Sequence, residues 1–183
     1  MDEVGCGCWA GPLVSAAVIL PPDFKDPGIK DSKLLTESKR EVYNNFIIKK
    51  ALSFGIGEVS VEEIDKLGLS KAKLLSVNKA LENLNIKPDH VLIDGYHIDI
   101  DKYSSKAIIR GDQKVKSIAC ASIIAKVYRD RIITNLAAKY SNYKFEKNKG
   151  YGTGDHIKAL EKYGICAIHR RSYQPIKKIL NKK

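Results

Sequence analysis

Four carboxylates stand out in this sequence: the adjacent pair Asp2 and Glu3, then Asp94, then Asp112. Each lies beside glycine. Asp2 and Glu3 open DEVGCG, with Gly5 and Gly7 behind them; Asp94 precedes Gly95 at the end of VLIDG; Asp112 follows Gly111. Hard oxygen donors of this kind suit magnesium or manganese. Carboxylates crowded together raise one another's pKa. Two divalent ions relieve that strain, activate a water, and stabilise the leaving oxygen of an in-line phosphodiester displacement. Such chemistry needs no histidine base. Any one of these acids alone would serve a turn or a helix cap. Four of them, all at strand or loop junctions, point to a metal centre.

The surrounding chain is strongly basic. Its 183 residues include 32 Lys and Arg against 21 Asp and Glu, a net charge of +11. An acidic, metal-ready centre in a basic chain implies an enzyme that cuts nucleic acid. With 44% hydrophobic and 29% charged residues the composition is that of a globular protein, long enough for one domain with a sizeable core. No apolar run is long enough to span a bilayer. Met1 is followed at once by two acids, so no secretory signal is expected and the cytoplasm is the expected compartment. Cys6, Cys8, Cys120 and Cys166 show no paired CxxC spacing, and Cys166 with His169 is too sparse for zinc. Free thiols in a reducing cell are expected.

The elements that must position the acids are legible in outline. Leu13–Leu20 is a continuous apolar run and reads as a fully buried strand. Thr36 and Ser38 offer N-caps for a helix running to about Lys50. Leu52–Val59 reads as a second strand, and Ser60 as the cap of a helix beginning VEEID. Leucines at near-helical spacing place a helix over Leu69–Leu84, before Pro88. Short strands at His90–Ile93 and Lys106–Ile109 end beside Asp94 and ahead of Asp112. A long helix is predicted over Val115–Ala138, its Ala119, Ala121 and Ala125 allowing close packing on a sheet; short helices follow at Asp155–Tyr163 and Pro175–Leu180. Strands followed by helices give an α/β domain with a mixed central sheet, and acids at strand ends are where such folds place their sites. Neighbours on a strand point to opposite faces. Asp2 and Glu3 therefore serve one site only where the strand ends, at Gly5.

Seven segments in order resemble the type 2 ribonucleases H, most closely bacterial ribonuclease HII: DEVGCGCWAGP from Asp2; DSKLL at Asp31–Leu35; IDG at Ile93–Gly95; GD at Gly111–Asp112; SIACASIIAKVYRD at Ser117–Asp130; NKGYGT at Asn148–Thr153; HRRSY at His169–Tyr173. The resemblance covers nearly the whole chain. It implies a ribonuclease H-like mixed central β-sheet flanked by helices, in one catalytic domain over residues 1–183. From about residue 140 a small C-terminal helical segment would bind substrate. It implies hydrolysis of the RNA strand of RNA–DNA hybrids, and nicking on the 5′ side of single ribonucleotides in duplex DNA. The products would be 3′-OH and 5′-phosphate ends, with two Mg²⁺ or Mn²⁺ ions as cofactors. Asp2, Glu3, Asp94 and Asp112 would be the metal-binding and catalytic carboxylates, and Tyr151 would stack on the deoxyribose that follows the ribonucleotide. The loop of Gly5, Cys6 and Gly7 would read the ribose 2′-OH through its backbone. Lys33, Lys126, Arg129, Lys149, Arg170 and Arg171 would contact phosphates as a group. Asp130, flanked by Arg129 and Arg131, would support the site rather than bind metal. A monomer is expected.

Three departures from the family pattern carry expectations of their own. Only Met1 precedes Asp2 where the family has a strand, so Asp2 and Glu3 are expected to be poorly held. Cys6 replaces the arginine of GRG, so weaker binding or slower cleavage is expected than in a GRG version. Asn148 and Leu34 replace a histidine and a lysine and look tolerable. Two other readings follow: a nucleic-acid-binding homologue impaired in catalysis, and another carboxylate two-metal enzyme such as a DNA nuclease or strand transferase. The KGYGT and HRRSY segments argue against the last.

Overall fold

The structure is a computed structural model and describes residues 1–25, 27–29, 35–100 and 102–181. In chain order its elements are β1 (Asp2–Val4), β2 (Leu13–Ile19), α1 (Glu37–Lys50), β3 (Ser53–Val59), α2 (Val61–Leu67), α3 (Leu69–Glu82), β4 (Val91–Asp94), β5 (Ser105–Ile108), α4 (Gly111–Lys114), α5 (Lys116–Lys139), α6 (Phe145–Asn148), α7 (Gly154–Tyr163) and α8 (Gln174–Leu180), with a 3-10 turn at Ser141–Tyr143.

β2 is the strand on which the rest assembles. It pairs antiparallel with β1 on one side and β3 on the other. Its even residues Val14 and Ala16 pack against α5 and Ile47 of α1. Its odd residues Leu13 and Ala17 pack toward α2 and α3. Burial on both faces explains the unbroken apolar run. The one polar side chain, Ser15, is satisfied by the Ser76 hydroxyl at 2.7 Å. β3 lets α3 approach closely because it presents Gly55 and Gly57: a Cβ at Gly57 would fall 2.0 Å from the Ser76 carbonyl oxygen. Local chemistry starts the helices where the sequence places them. Thr36 accepts from the Lys39 N–H, and Ser60 and Glu63 form a reciprocal capping box.

β4 and β5 form a parallel pair. Met1 joins it to the antiparallel sheet: its nitrogen donates to Leu92 O at 2.7 Å, and Asp94 N–H donates to Met1 O at 3.1 Å. β4 thus runs beside β1 and the sheet is mixed, as expected. These bonds overturn the expectation that Asp2 and Glu3 are loosely held. Met1 is buried among Ala17, Val77, Val91 and Ile93, and Asp2–Val4 is a paired strand.

The long helix is preceded by one extra turn. Arg110 takes a left-handed conformation (φ 55°), α4 follows, and the chain is extended again at Val115 before α5 begins. Asp112 therefore sits inside a helical turn rather than in a loop. Beyond α5, Tyr143, Phe145, Leu160 and Ile176 pack with Ile133, Ala137 and Ala10 into a separate cluster. No helix among the described residues is long and apolar enough to cross a membrane.

Candidate active site

β1 brings two carboxylates to the middle of the sheet, on opposite faces. Asp2 pairs with Ala16 and points toward α5, where the Ser122 side chain hydrogen-bonds to it; Glu3 N–H also donates to Asp2 Oδ1 at 2.7 Å. Glu3 pairs with Ser15 and points toward α3, where Lys73 Nζ meets its Oε1 at 2.6 Å. The strand does end at Gly5, whose φ is 100°, but both acids lie ahead of that break, so they do not share one face as expected.

Asp94 ends β4, and its Oδ1 accepts from Gly111 N–H at 2.6 Å. That bond ties the strand end to the turn that carries Asp112. Asp2 and Asp112 are buried, at 8% and 5% exposure. Burial pushes the Asp2 carboxyl up to about 7; the charges of Glu3 and Asp94 push the same way, and Ser122 and the Glu3 N–H oppose them. Glu3 and Asp94 thus both act electrostatically on Asp2, while Asp112 is linked to Asp94 through Gly111.

The donor chemistry fits a hard divalent cation. All four groups are carboxylates, and a cation would relieve the repulsion that helps hold Asp2 protonated. In the present arrangement these groups are engaged within the protein, Glu3 by Lys73 and Asp94 by Gly111. Among the described residues no three His, Cys, Asp or Glu side chains are grouped closely enough to hold one ion.

Beyond β1, the chain from Gly5 to Pro12 is fixed by two buried arginines. Arg129 donates to the carbonyls of Pro12 (2.9 Å), Ala10 (2.9 Å) and Lys149 (2.9 Å). Arg170 donates to Gly11 O (2.9 Å), Gly5 O (2.6 Å), Pro12 O (3.0 Å) and the Tyr173 hydroxyl (2.8 Å). Both are fully buried, which corrects their expected role: a guanidinium with no exposed surface and every nitrogen on a protein oxygen does not reach a phosphate. Gly5 has no room for a side chain, since a Cβ there would lie 2.5 Å from Arg129 Nε; Gly7 is exposed, with open space around it.

Lys149 O leads directly into the Tyr151 loop. Trp9 N–H donates to Gly150 O at 2.8 Å, and the Trp9 ring lies on Gly152, where a Cβ would fall 2.2 Å from it. Tyr151 stays 39% exposed. Its hydroxyl is hydrogen-bonded to the Cys8 thiol, and burial, reinforced by Cys8, pushes its pKa up to about 12. The carboxylate strand, the glycine loop and the exposed tyrosine are thus parts of one connected framework.

The sequence model of the family described as Ribonuclease HII matches residues 1–176. The chain belongs to the ribonuclease HII family. It is 48% identical over 181 residues to the ribonuclease HII of Caldicellulosiruptor bescii, covering 99% of this chain and 87% of that protein. It is 49% identical over 179 residues to that of Mycoplasma mycoides subsp. mycoides SC, covering 97% and 86%. Its fold is similar to the crystal structure of ribonuclease H2 from Pyrococcus horikoshii OT3, with a TM-score of 0.84 and 30% identity over 99% of this chain and 95% of that one. A chain of the PCNA:RNase HII complex from Archaeoglobus fulgidus matches with a TM-score of 0.78 and 25% identity, over 97% and 94%. The protein is a ribonuclease H-type endonuclease with the ribonuclease H-like α/β fold.

The remaining residues expected to serve this ribonuclease HII site fall into three groups. Lys126 pairs with Asp130 at 2.9 Å, and its Nζ lies 5.7 Å from the centre of the Tyr151 ring. Asp130 is buried. Lys149 donates to Thr134 Oγ1 at 2.7 Å and lies 3.6 Å from Glu37, while Arg171 is exposed, its backbone N–H held by Asp65 at 2.8 Å. Lys33, with most of the DSKLL segment, lies outside the described residues.

Sequence reasoning missed Lys73, Ser122, Cys8, His156 and Asp65. Lys73 and Asp65 carry no local signal, because their partners are far away in sequence. Ser122 lies inside the quoted helix motif, where among the small residues only the alanines are given a role. Cys8 lies inside the first quoted motif and His156 just beyond NKGYGT, and their roles depend on contacts made through Tyr151.

Proposed function

We propose that this enzyme hydrolyses the RNA strand of RNA–DNA hybrids and nicks duplex DNA on the 5′ side of a single embedded ribonucleotide, leaving 3′-OH and 5′-phosphate ends. Residues 1–183 act as one catalytic domain, monomeric and cytoplasmic, with the part from about residue 140 on contributing to substrate binding. Asp2, Glu3, Asp94 and Asp112 would hold two Mg²⁺ or Mn²⁺ ions. When bound, such ions supply charge that stabilises the attacking and leaving oxygens of an in-line displacement.

The rest of the reading concerns the protein's own groups. Gly7, exposed and with open space around it, lets the backbone approach a ribose closely enough to hydrogen-bond its 2′-OH. Arg129 and Arg170 hold that loop rigid from beneath. The exposed face of Tyr151 offers a platform for the sugar after the ribonucleotide, and Lys126 beside it provides positive charge for the adjoining phosphate. The observation that carries this reading is the framework itself. Arg129 links the loop that follows the carboxylates, at Ala10 and Pro12, to Lys149 beside Tyr151, and Trp9 N–H adds a bond to Gly150 O. On this reading, the loop that follows Asp2 and Glu3 would be held in a fixed position relative to the Tyr151 segment.

The test is cleavage of a DNA duplex containing one ribonucleotide, with Mg²⁺ or Mn²⁺, beside Asp112→Asn. Nicking on the 5′ side of the ribonucleotide that disappears in the variant is the expected result. A duplex that is bound but never nicked, with either metal, would instead favour a catalytically impaired binding protein.

A further inference from the structure

We propose that His169 and His156 are positioning residues that set the orientation of Tyr151, and through it the preference for a ribonucleotide followed by DNA. This rests on the junction-sensing role proposed above for Tyr151.

The two imidazoles form a chain with one consistent set of protons. His156 Nδ1 lies 2.8 Å from Tyr151 O. A carbonyl only accepts, so Nδ1 carries the proton, and in the neutral ring Nε2 is then an acceptor. His156 Nε2 lies 2.9 Å from His169 Nε2, which must therefore carry the proton of its own ring. That leaves His169 Nδ1 as acceptor, and Cys166 N–H donates to it at 2.9 Å. The Cys166 thiol lies 3.1 Å from the same nitrogen. Each step fixes the next tautomer. The chain runs from the turn before HRRSY to the carbonyl of Tyr151.

Its surroundings keep it in place. Both rings are fully buried. Trp9, Tyr143 and Phe145 pack around them at centroid distances of 5.8 Å, 5.0 Å and 5.3 Å. Burial lowers the pKa of both, that of His169 to about 4, so both are neutral at physiological pH, as the chain requires. Tyr151 O shares its second lone pair with Thr153 N–H at 2.8 Å. That bond spans two residues and orients the turn only locally, whereas His156 ties it to the helical core. Tyr151 is thus held at its carbonyl by His156 and at its hydroxyl by Cys8.

The readout is the ratio of kcat/KM on a duplex with one ribonucleotide to kcat/KM on a hybrid whose strand is all RNA. Tyr151→Ala is expected to lower this ratio about tenfold, the loss of one stacking contact. His156→Phe keeps an aromatic ring in the aromatic cluster but removes the donor to Tyr151 O, and is expected to lower the ratio by a similar factor. His156→Asn, whose amide mimics Nδ1–H, is expected to restore most of it. In a Tyr151→Ala background, His156→Phe should have no further effect. A folded His156→Phe with an unchanged ratio, or one that adds to Tyr151→Ala, overturns the proposal and leaves the role of Tyr151 standing. An unchanged ratio in Tyr151→Ala removes that role, and the proposal with it. If His156→Phe does not fold, ¹⁵N–¹H correlation of the imidazoles in the unaltered protein decides. Protons on His156 Nδ1 and His169 Nε2 are expected; the opposite tautomer on either ring refutes the chain.

Discussion

Replacing Asp2 with asparagine should make the protein more stable at neutral pH while destroying its activity. The Asp2 carboxyl is pushed from its ordinary 3.8 to about 7, by burial first and then by Glu3 and Asp94. At about 1.4 kcal/mol per pH unit, keeping it ionised inside the fold costs about 4 kcal/mol above that value. The folded value lies above the unfolded one, so between pH 3.8 and about 7 the native state binds the proton more tightly. Stability therefore falls as pH rises through that window and is level on either side. Asparagine keeps the shape, and its amide oxygen still accepts from Glu3 N–H. Since the substitution also disturbs the bond to Ser122, the net gain should be about 2–4 kcal/mol at about pH 8, shrinking toward zero at about pH 4. Urea unfolding of both proteins across that range measures it, and the difference curve cancels most other titrating groups. Cleavage should be lost in the variant. Added Mg²⁺ should raise the midpoint of the parent more than that of the variant, by ligand linkage. A flat difference curve, or a variant less stable at pH 8, would refute the assignment of Asp2 as a strained, buried carboxylate.

Further outcomes follow from the same contacts. His169 behaves oppositely to Asp2: its folded pKa falls from 6.5 to about 4, so its contribution to stability is complete above 6.5 and is lost as pH falls through that window. Unfolding of His169→Asn should show a shallower acid limb. Arg129→Met should cost about 2–5 kcal/mol in chemical denaturation, because it leaves the carbonyls of Ala10 and Lys149 without their side-chain donor and Pro12 O with Arg170 alone. Cys6 lies 3.8 Å from Glu3 with its thiol pushed up to about 11 by burial, so it is a neutral neighbour of the site. Cys6→Arg should raise kcat/KM about tenfold by adding one charge-assisted phosphate contact; an unchanged value would show that this loop needs no such side chain.

What could be read from the sequence was local. The β2 run, the Thr36 and Ser60 caps and the long helix carry their signals within a few residues, and each appears within one or two positions of its expected bounds. β1 carries no such signal. DEV becomes a strand only because β2 supplies hydrogen bonds on one side and β4 engages Met1 on the other. The same pairing sends Asp2 and Glu3 to opposite faces, which no reading of the glycines alone would give. The burial of Arg129 was partly legible: it stands four residues from both Ala125 and Ile133, on the buried stripe of α5. Its charge was read as surface because its partners, the carbonyls of Ala10, Pro12 and Lys149, are set by the fold.

Those carbonyls change what the two arginines mean for substrate binding. Two cations buried beside each other, both donating to Pro12 O, would destabilise the fold unless oxygens surrounded them. Five backbone carbonyls and the Tyr173 hydroxyl do so, and the loop adopts the one path that brings them there. Loop and arginines are mutually dependent. A residue that neutralises a phosphate changes the salt dependence of binding by about one unit of slope when it is removed. Arg129 and Arg170 should leave that slope unchanged, even where their replacement slows cleavage by loosening the loop. Lys126, charged and beside the exposed tyrosine, should change it. Measuring the slopes of the Arg129 and Lys126 variants side by side separates a group that shapes the surface from one that contacts the nucleic acid.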